Sequence, residues 1–147
     1  GQPPYPQIKQ LIFQRKWLLK FGGSIYGKTN YRHWFPLYLK WYGFNLISLI
    51  KTGLGLKKSL VKLWDECLQL DLYTQVPKLD LPVYMISGRH DFQVPASTSR
   101  IYFDKLEAPQ KKWYWFENSA HTSMFEEPDA FNKLMLEEIL PVSDYPV

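Results

Sequence analysis

The hydrophobic pattern of the chain changes near residue 76. Before that point, apolar residues recur three and four positions apart, which is typical of amphipathic helices. We predict one helix in PQIKQLIFQRKWLLKFGG, with Gly22 as its stop, and another in KSLVKLWDECLQLDL. The expected packing faces are Ile8, Leu11, Ile12, Arg15 and Leu19 in the first helix, and Leu60, Leu63, Trp64, Cys67 and Leu68 in the second.

The stretch between these helices, YRHWFPLYLKWYGFNLISLI, is crowded with aromatic residues from Tyr31 to Phe44. Pro36 is expected to open a helix there, because proline is tolerated in a first helical turn. The aromatic side chains either pack helices together or line a substrate pocket, and we favour packing. The following KTGLGLKK, residues 51–58, is interpreted as a solvated lysine-rich loop.

After residue 76 the pattern alternates between strand and helix. LPVYMISG, ended by a glycine, is typical of a strand buried on both faces of a parallel sheet. KKWYWFE is a second, aromatic strand. PASTSRIYFDKLEA, with Ile101, Tyr102 and Leu106 at helical spacing, and EEPDAFNKLMLEEIL are predicted helices. This gives a β-α-β-α unit, whose two strands are too few for a stable sheet of their own.

Composition fits about one folded domain, because 46% of the 147 residues are apolar and 17% are aromatic. The single cysteine, Cys67, excludes an internal disulfide and is typical of a reducing compartment. No stretch resembles a signal peptide or approaches the roughly 20 apolar residues of a membrane span. We therefore expect a cytoplasmic protein without a membrane partner. Because residue 1 is Gly rather than Met, we also expect a piece of something longer.

The net charge of +4 raises the alternative of a nucleic-acid binder. The lysines of KTGLGLKK are not interleaved with stacking aromatics, and no nucleic-acid motif accompanies them. We therefore expect no nucleic-acid partner; a salt-dependent shift with oligonucleotides would show otherwise.

Two residues that follow the predicted strands carry candidate chemistry. Asp91 lies three residues past Gly88, and His121 lies beyond the second strand. Parallel strands are about 4.8 Å apart, so loops at their carboxyl ends can bring a carboxylate against an imidazole. The aspartate would orient the ring, and the other ring nitrogen would take a proton from a nucleophile. The alternatives are a turn or cap residue for the aspartate and an ordinary loop residue for the histidine.

No nucleophile in the chain completes this pair. Ser24 in GGSIYG follows a helix rather than a strand and never forms G-x-S-x-G, so it cannot sit on a nucleophile elbow. Cys67 is expected to be a small buried residue on a helix stripe. His90 is expected to be an exposed loop residue. The three histidines are scattered, so neither a metal nor another cofactor is expected.

LPVYMISGRHDFQVP, followed by LEAPQKKWYWFENSAHTSMFEEPDAF, resembles the C-terminal part of α/β-hydrolases, in particular the proline-iminopeptidase-like members. That family has a strand followed by G-x-x-D-x-x-x-P with the triad acid, matched here by Gly88, Asp91 and Pro95. An aromatic strand and an S/G-x-H turn with the triad base follow, matched by Ser119 and His121. An E-x-P then opens the last helix. The close resemblance covers about residues 76–140.

The resemblance implies an α/β fold with a helical cap over residues 1–75 and a β-α-β-α part of the core over residues 76–147. The cap is matched by pattern and position only, and the N-terminal strands of the sheet are absent. Aminopeptidase-type relatives hold a substrate amine with cap acids, but Asp65 and Glu66 cannot be aligned to that role.

The implied activity is that of a serine hydrolase of esters or amides, aminopeptidase-like, acting on a small molecule or peptide. The family order is serine, acid, histidine, so the serine and oxyanion donors are expected upstream of this chain, which alone would be inactive. The alternative is a non-catalytic interaction module on the same scaffold, and an upstream G-x-S-x-G would discriminate between the two. An unpaired strand edge and bare apolar faces predict self-association.

Overall fold

The structure, a computed structural model, describes residues 5–36, 40 and 46–142 and has a mixed α/β architecture. Its elements, in chain order, are α1 (Ile8–Lys20), a 3₁₀ turn (Tyr31–Trp34), α2 (Leu46–Leu68), α3 (Leu72–Gln75), β1 (Val83–Gly88), α4 (Ala96–Lys105), β2 (Lys111–Phe116), α5 (Ser123–Glu126), α6 (Pro128–Leu134), a π-helical turn (Met135–Ile139) and a 3₁₀ turn (Leu140–Val142). Helices and a small parallel sheet are the coarse class that the sequence predicts.

The sheet of the described residues consists of β1 and β2, paired in parallel from Val83↔Lys111 to Gly88↔Phe116. The intervening α4 provides the crossover that a parallel pair requires. Lys111 fastens this helix to β2, because its Nζ donates to carbonyl oxygens of Phe103, Asp104 and Leu106 at 2.7, 3.0 and 2.8 Å. A cation that binds the last carbonyls of a helix satisfies groups that the helix leaves unpaired.

The packing face of α4 differs from the expected one. Ile101 is 52% exposed, whereas Phe103 is buried and its ring lies 5.3 Å from that of Trp113 on β2. Leu106, just past the helix, is buried as its spacing predicts. Both apolar positions fit a helical period. The contact between the rings of Phe103 on α4 and Trp113 on β2 decides that Phe103, rather than Ile101, faces the sheet.

The first helix ends at Lys20, and Gly22, the predicted stop, lies two residues beyond it with φ of +74°, a conformation that favours glycine. The lysine-rich residues 51–58 are not a loop: they lie inside α2, a helix of 23 residues. Glycine costs a helix roughly 0.5–1 kcal/mol relative to alanine, so Gly53 and Gly55 weaken α2 without stopping it. The prediction of a loop, which rested on these two glycines, is therefore wrong.

The stripe expected on α2 is only partly covered. Leu60, Trp64 and Leu68 are half-buried, and Trp64 Nε1 donates to the backbone oxygen of Tyr5 at 3.0 Å. Leu63 is exposed, and so is Cys67, contrary to the expectation of a buried cysteine. Much of the aromatic stretch before α2 lies outside the described residues. Of the helices in the described ranges, none is long and apolar enough to cross a membrane.

Candidate functional site

Asp91 lies in the turn that follows β1. Its backbone N–H donates to Gly88 O at 3.2 Å. Its Oδ1 accepts the backbone N–H groups of Gln93 and Val94 at 2.8 and 2.9 Å, a local turn in which aspartate is favoured. These bonds fix the carboxylate and leave Oδ2 directed elsewhere.

His121 follows β2, and the structure brings it to Asp91. Its Nδ1 lies 3.0 Å from Asp91 Oδ2, with the His121 side chain 35% exposed and that of Asp91 10% exposed. An Nδ1 that donates to this carboxylate leaves Nε2 as a proton acceptor. The geometry thus brings the carboxylate and the imidazole into hydrogen-bond contact, which is the arrangement that the strand ends predict.

The end of β1 packs directly on the loop that carries His121. A Cβ on Gly88 would lie 2.1 Å from Ala120 O and 2.4 Å from Ser119 O, so only glycine fits. His90 N–H donates to Ser119 O at 3.0 Å. The sequence marks Gly88 as a strand end and part of a motif; its close approach to the second loop becomes visible only in three dimensions.

The loop of residues 22–27 contacts both strand-end loops. Gly23 O accepts the N–H of Phe92 at 3.1 Å, and Ser24 O accepts the N–H of His121 at 3.3 Å. Ser24 is 3% exposed, and its hydroxyl lies 3.4 Å from Gln93 Oε1. The serine therefore supports the site through its backbone. In the sequence GGSIYG stands out only as a possible nucleophile segment, and this packing on the strand-end loops has no local signal.

Two glutamates accept hydrogen bonds from the loop that carries His121. Glu126 is the last residue of α5, and Glu127 directly follows it. Glu126 Oε2 accepts the N–H groups of Ala120 and Thr122, and Glu127 Oε2 accepts Asn118 N–H at 3.0 Å and Ser119 Oγ–H at 2.6 Å. The sequence gives them only as part of the signal that opens the last helix.

The remaining candidates lie outside the Asp91–His121 pair. His90 stacks on Tyr26 with ring centroids 4.2 Å apart, so it is packed by an aromatic ring. Asp65 and Glu66 are exposed near the end of α2. Among the described residues, no three His, Cys, Asp or Glu side chains cluster as metal ligands would; the side chain of His33 is not among those described.

A cavity of about 670 Å³ lies between α1 and the loop after β1. That volume is within the range of small-molecule sites, roughly 300–1,000 Å³. Its lining is largely apolar and aromatic and includes Tyr5, Phe13, Trp17, Leu18, Phe21 and Phe92. Phe92 directly follows Asp91, so the cavity borders the acid's own loop. Among the residues that line it, Phe92 is the one next to the pair in sequence.

Arg15 of α1 lies within electrostatic range of Asp91. Burial lowers the pKa of its guanidinium, while Tyr31, Asp91 and Tyr5 raise that pKa through their charges. Its Nη1 is buried without a hydrogen-bond partner among the described residues. The Asp91 carboxylate therefore interacts electrostatically with a residue of α1.

The fold and the site together define a mixed α/β protein in which a carboxylate and an imidazole meet beyond the ends of two adjacent parallel strands. The chain is similar to a Bacillus subtilis (strain 168) protein named probable aminopeptidase YbaC, with 39% identity over 139 residues. The match covers 89% of this chain but 42% of that relative, so the chain spans less than half its length. No protein-family model matches the chain. No solved structure matches it.

Proposed function

We propose that this chain is the C-terminal portion of a serine α/β-hydrolase, in which Asp91 and His121 are the acid and the base of a catalytic triad. The observation that carries the proposal is the 3.0 Å contact between His121 Nδ1 and Asp91 Oδ2 at the ends of adjacent parallel strands. In this proposal residues 1–75 form the cap and residues 76–147 complete the core. The similarity to a protein named as a probable aminopeptidase supports amide hydrolysis as the reaction.

The nucleophile in this proposal is a serine of another segment of the intact protein. The 147 residues contain no G-x-S-x-G, and the hydroxyl of Ser24 is buried against Gln93. His121 Nε2 takes the serine proton as the hydroxyl attacks the scissile carbonyl. The same nitrogen then returns the proton to the leaving amine, and water hydrolyses the acyl-enzyme in a second round.

The proposed substrate is a small aminoacyl compound or peptide with an apolar side chain. The aromatic cavity beside Phe92 supports this choice, because an apolar lining favours an apolar occupant. Aminoacyl arylamides that differ only in their first side chain would rank the preference.

Labelling with a fluorophosphonate tests the location of the nucleophile. We expect the intact protein that contains this sequence to form one adduct, on a serine outside residues 1–147, because only an activated hydroxyl reacts readily. Mass spectrometry of proteolytic peptides locates the adduct. An adduct on Ser24 would refute the proposed nucleophile. Absence of both labelling and turnover would favour the non-catalytic interaction module.

Separately, we propose that the 147-residue chain by itself self-associates. Leu54, Leu56 and Val61 on α2 are 63, 70 and 59% exposed, and β1 pairs only with β2 among the described residues. Bare apolar faces and open strand edges favour association. Light scattering at micromolar concentration should give a dimer or larger species.

Variants of α2 give this prediction a matched control. Replacing Leu54 and Leu56 together with lysine should shift the mass towards the monomer. Replacing Thr52 and Ser59 with lysine adds the same charge to the same helix and should leave association nearly unchanged. A wild-type chain that is a clean monomer with a cooperative melt would contradict the proposal.

A further inference from the structure

The carboxylate of Glu126 accepts hydrogen bonds from several groups around His121. Oε2 accepts the N–H of Ala120 at 3.1 Å, the N–H of Thr122 at 3.0 Å and the hydroxyl of Thr122 at 3.1 Å. Oε1 accepts the backbone N–H of Tyr26. Because residues 120 and 122 flank the histidine, this one side chain holds the backbone on both of its sides.

The hydrogen bond from Tyr26 connects Glu126 to a segment outside the histidine loop. Tyr26 belongs to the loop of residues 22–27, in which Ser24 O accepts the N–H of His121 and Gly23 O accepts the N–H of Phe92. Phe92 follows the acid directly. Glu126 therefore joins the loop of the base to a segment that also holds the loop of the acid.

We propose that Glu126 is a positioning residue, which sets the Asp91–His121 pair by fixing the backbone around His121 and fastening it to the loop of residues 22–27. The role in catalysis rests on the proposed function, whereas the geometric role does not. None of the hydrogen bonds of Glu126 in the described residues goes to the ring or the carboxylate of the pair, so it acts through the neighbouring backbone and the hydroxyl of Thr122.

The neighbouring Glu127 provides a matched comparison. Both of its bonds, to Asn118 N–H and Ser119 Oγ–H, go to the single oxygen Oε2 at the base of the same loop. Glutamine keeps one carbonyl oxygen and replaces the other with an NH₂ donor. Glu127→Gln can therefore retain both bonds.

Glu126→Gln can retain the three bonds at one oxygen, but it then sets an NH₂ group against the N–H of Tyr26, donor against donor. The two isosteric variants thus differ in one link, the one between the histidine loop and residues 22–27. Glu126→Ala removes all the bonds and is the stronger, less selective change.

The first measurement is made on the intact protein with ¹⁵N-labelled histidine. The wild type and Glu127→Gln should show the hydrogen-bonded Nδ1 proton of His121, while Glu126→Gln should broaden or lose it. Turnover of an aminoacyl arylamide should fall about tenfold in kcat for Glu126→Gln and about a hundredfold for Glu126→Ala, with little change in KM. Thermal melts of all variants check that each is folded.

The outcomes separate this inference from the proposed function. If Glu126→Gln keeps both the resonance and the wild-type kcat, the positioning role is wrong and the hydrolase proposal stands. If no variant, the wild type included, turns over substrate, yet Glu126→Gln alone loses the resonance, the positioning role stands and the hydrolase proposal falls. If both glutamine variants lowered the melting temperature equally and left the Nδ1 proton resonance of His121 unchanged, the role of Glu126 would be only structural. That result would overturn the inference.

Discussion

His121→Ala should lower the kcat of the intact protein on aminoacyl and ester substrates by a factor on the order of 10⁴. The substitution removes the proposed base, whose Nδ1 lies 3.0 Å from the Asp91 carboxylate. In the proposed mechanism, the serine without the imidazole must lose its proton to water, and no group is poised to protonate the leaving amine. Steady-state kinetics with a chromogenic arylamide would measure the loss, and KM should change far less than kcat.

His90→Ala is the matched control for this prediction. It removes from the adjacent loop a second imidazole, whose ring stacks on that of Tyr26. Activity should stay within a few-fold of the wild type. If both histidine variants retained wild-type turnover, the assignment of the base would be wrong.

Asp91→Asn tests the other half of the pair. The asparagine can keep the bonds from the N–H groups of Gln93 and Val94 but no longer offers two acceptor oxygens. An amide NH₂ facing His121 favours the tautomer with the proton on Nε2, which cannot accept the serine proton. We expect a loss that approaches that of His121→Ala, with a normal melting curve.

The elements that set the position of the pair could be predicted because their signals are local. The apolar run that ends at Gly88 and the aromatic run that ends at Phe116 mark two strands, and both lie where the sequence predicts. Once the strands are parallel, the residues beyond their ends must share an edge of the sheet. The proximity of Asp91 and His121 follows from these two facts without further information.

The groups that hold the pair could not be predicted, because their contacts join distant parts of the chain. The bond from Tyr26 N–H to Glu126 spans 100 residues of sequence, and no periodicity encodes a backbone N–H that meets a carboxylate. The same reason explains the loop of residues 22–27, whose sequence looked like a failed nucleophile motif. Local signals also misled where tertiary packing decides, as with Phe103 over Ile101 and the glycines inside α2.

Gly88→Ala is expected to be the most damaging single-methyl change in the described part of the chain. The added Cβ would lie 2.1 Å from Ala120 O, 2.4 Å from Ser119 O and 2.7 Å from Ser119 C, and all three are backbone atoms. Backbone cannot turn aside as a flexible side chain can, so the loop that carries His121 must move as a unit. Overpacking of this kind costs roughly 1–3 kcal/mol or more in the free energy of unfolding.

The displaced loop should also separate Nδ1 from the Asp91 carboxylate, because the peptide of residues 119–120 directly precedes His121. We therefore expect Gly88→Ala to lower both the urea midpoint and kcat of the intact protein. Gly53→Ala is the matched control: a Cβ there meets nothing within 4 Å, and alanine should stabilise α2 by roughly 0.5–1 kcal/mol. If Gly88→Ala unfolded at the same urea concentration as Gly53→Ala and kept wild-type turnover, the close packing of β1 on the histidine loop would not be what holds the site together.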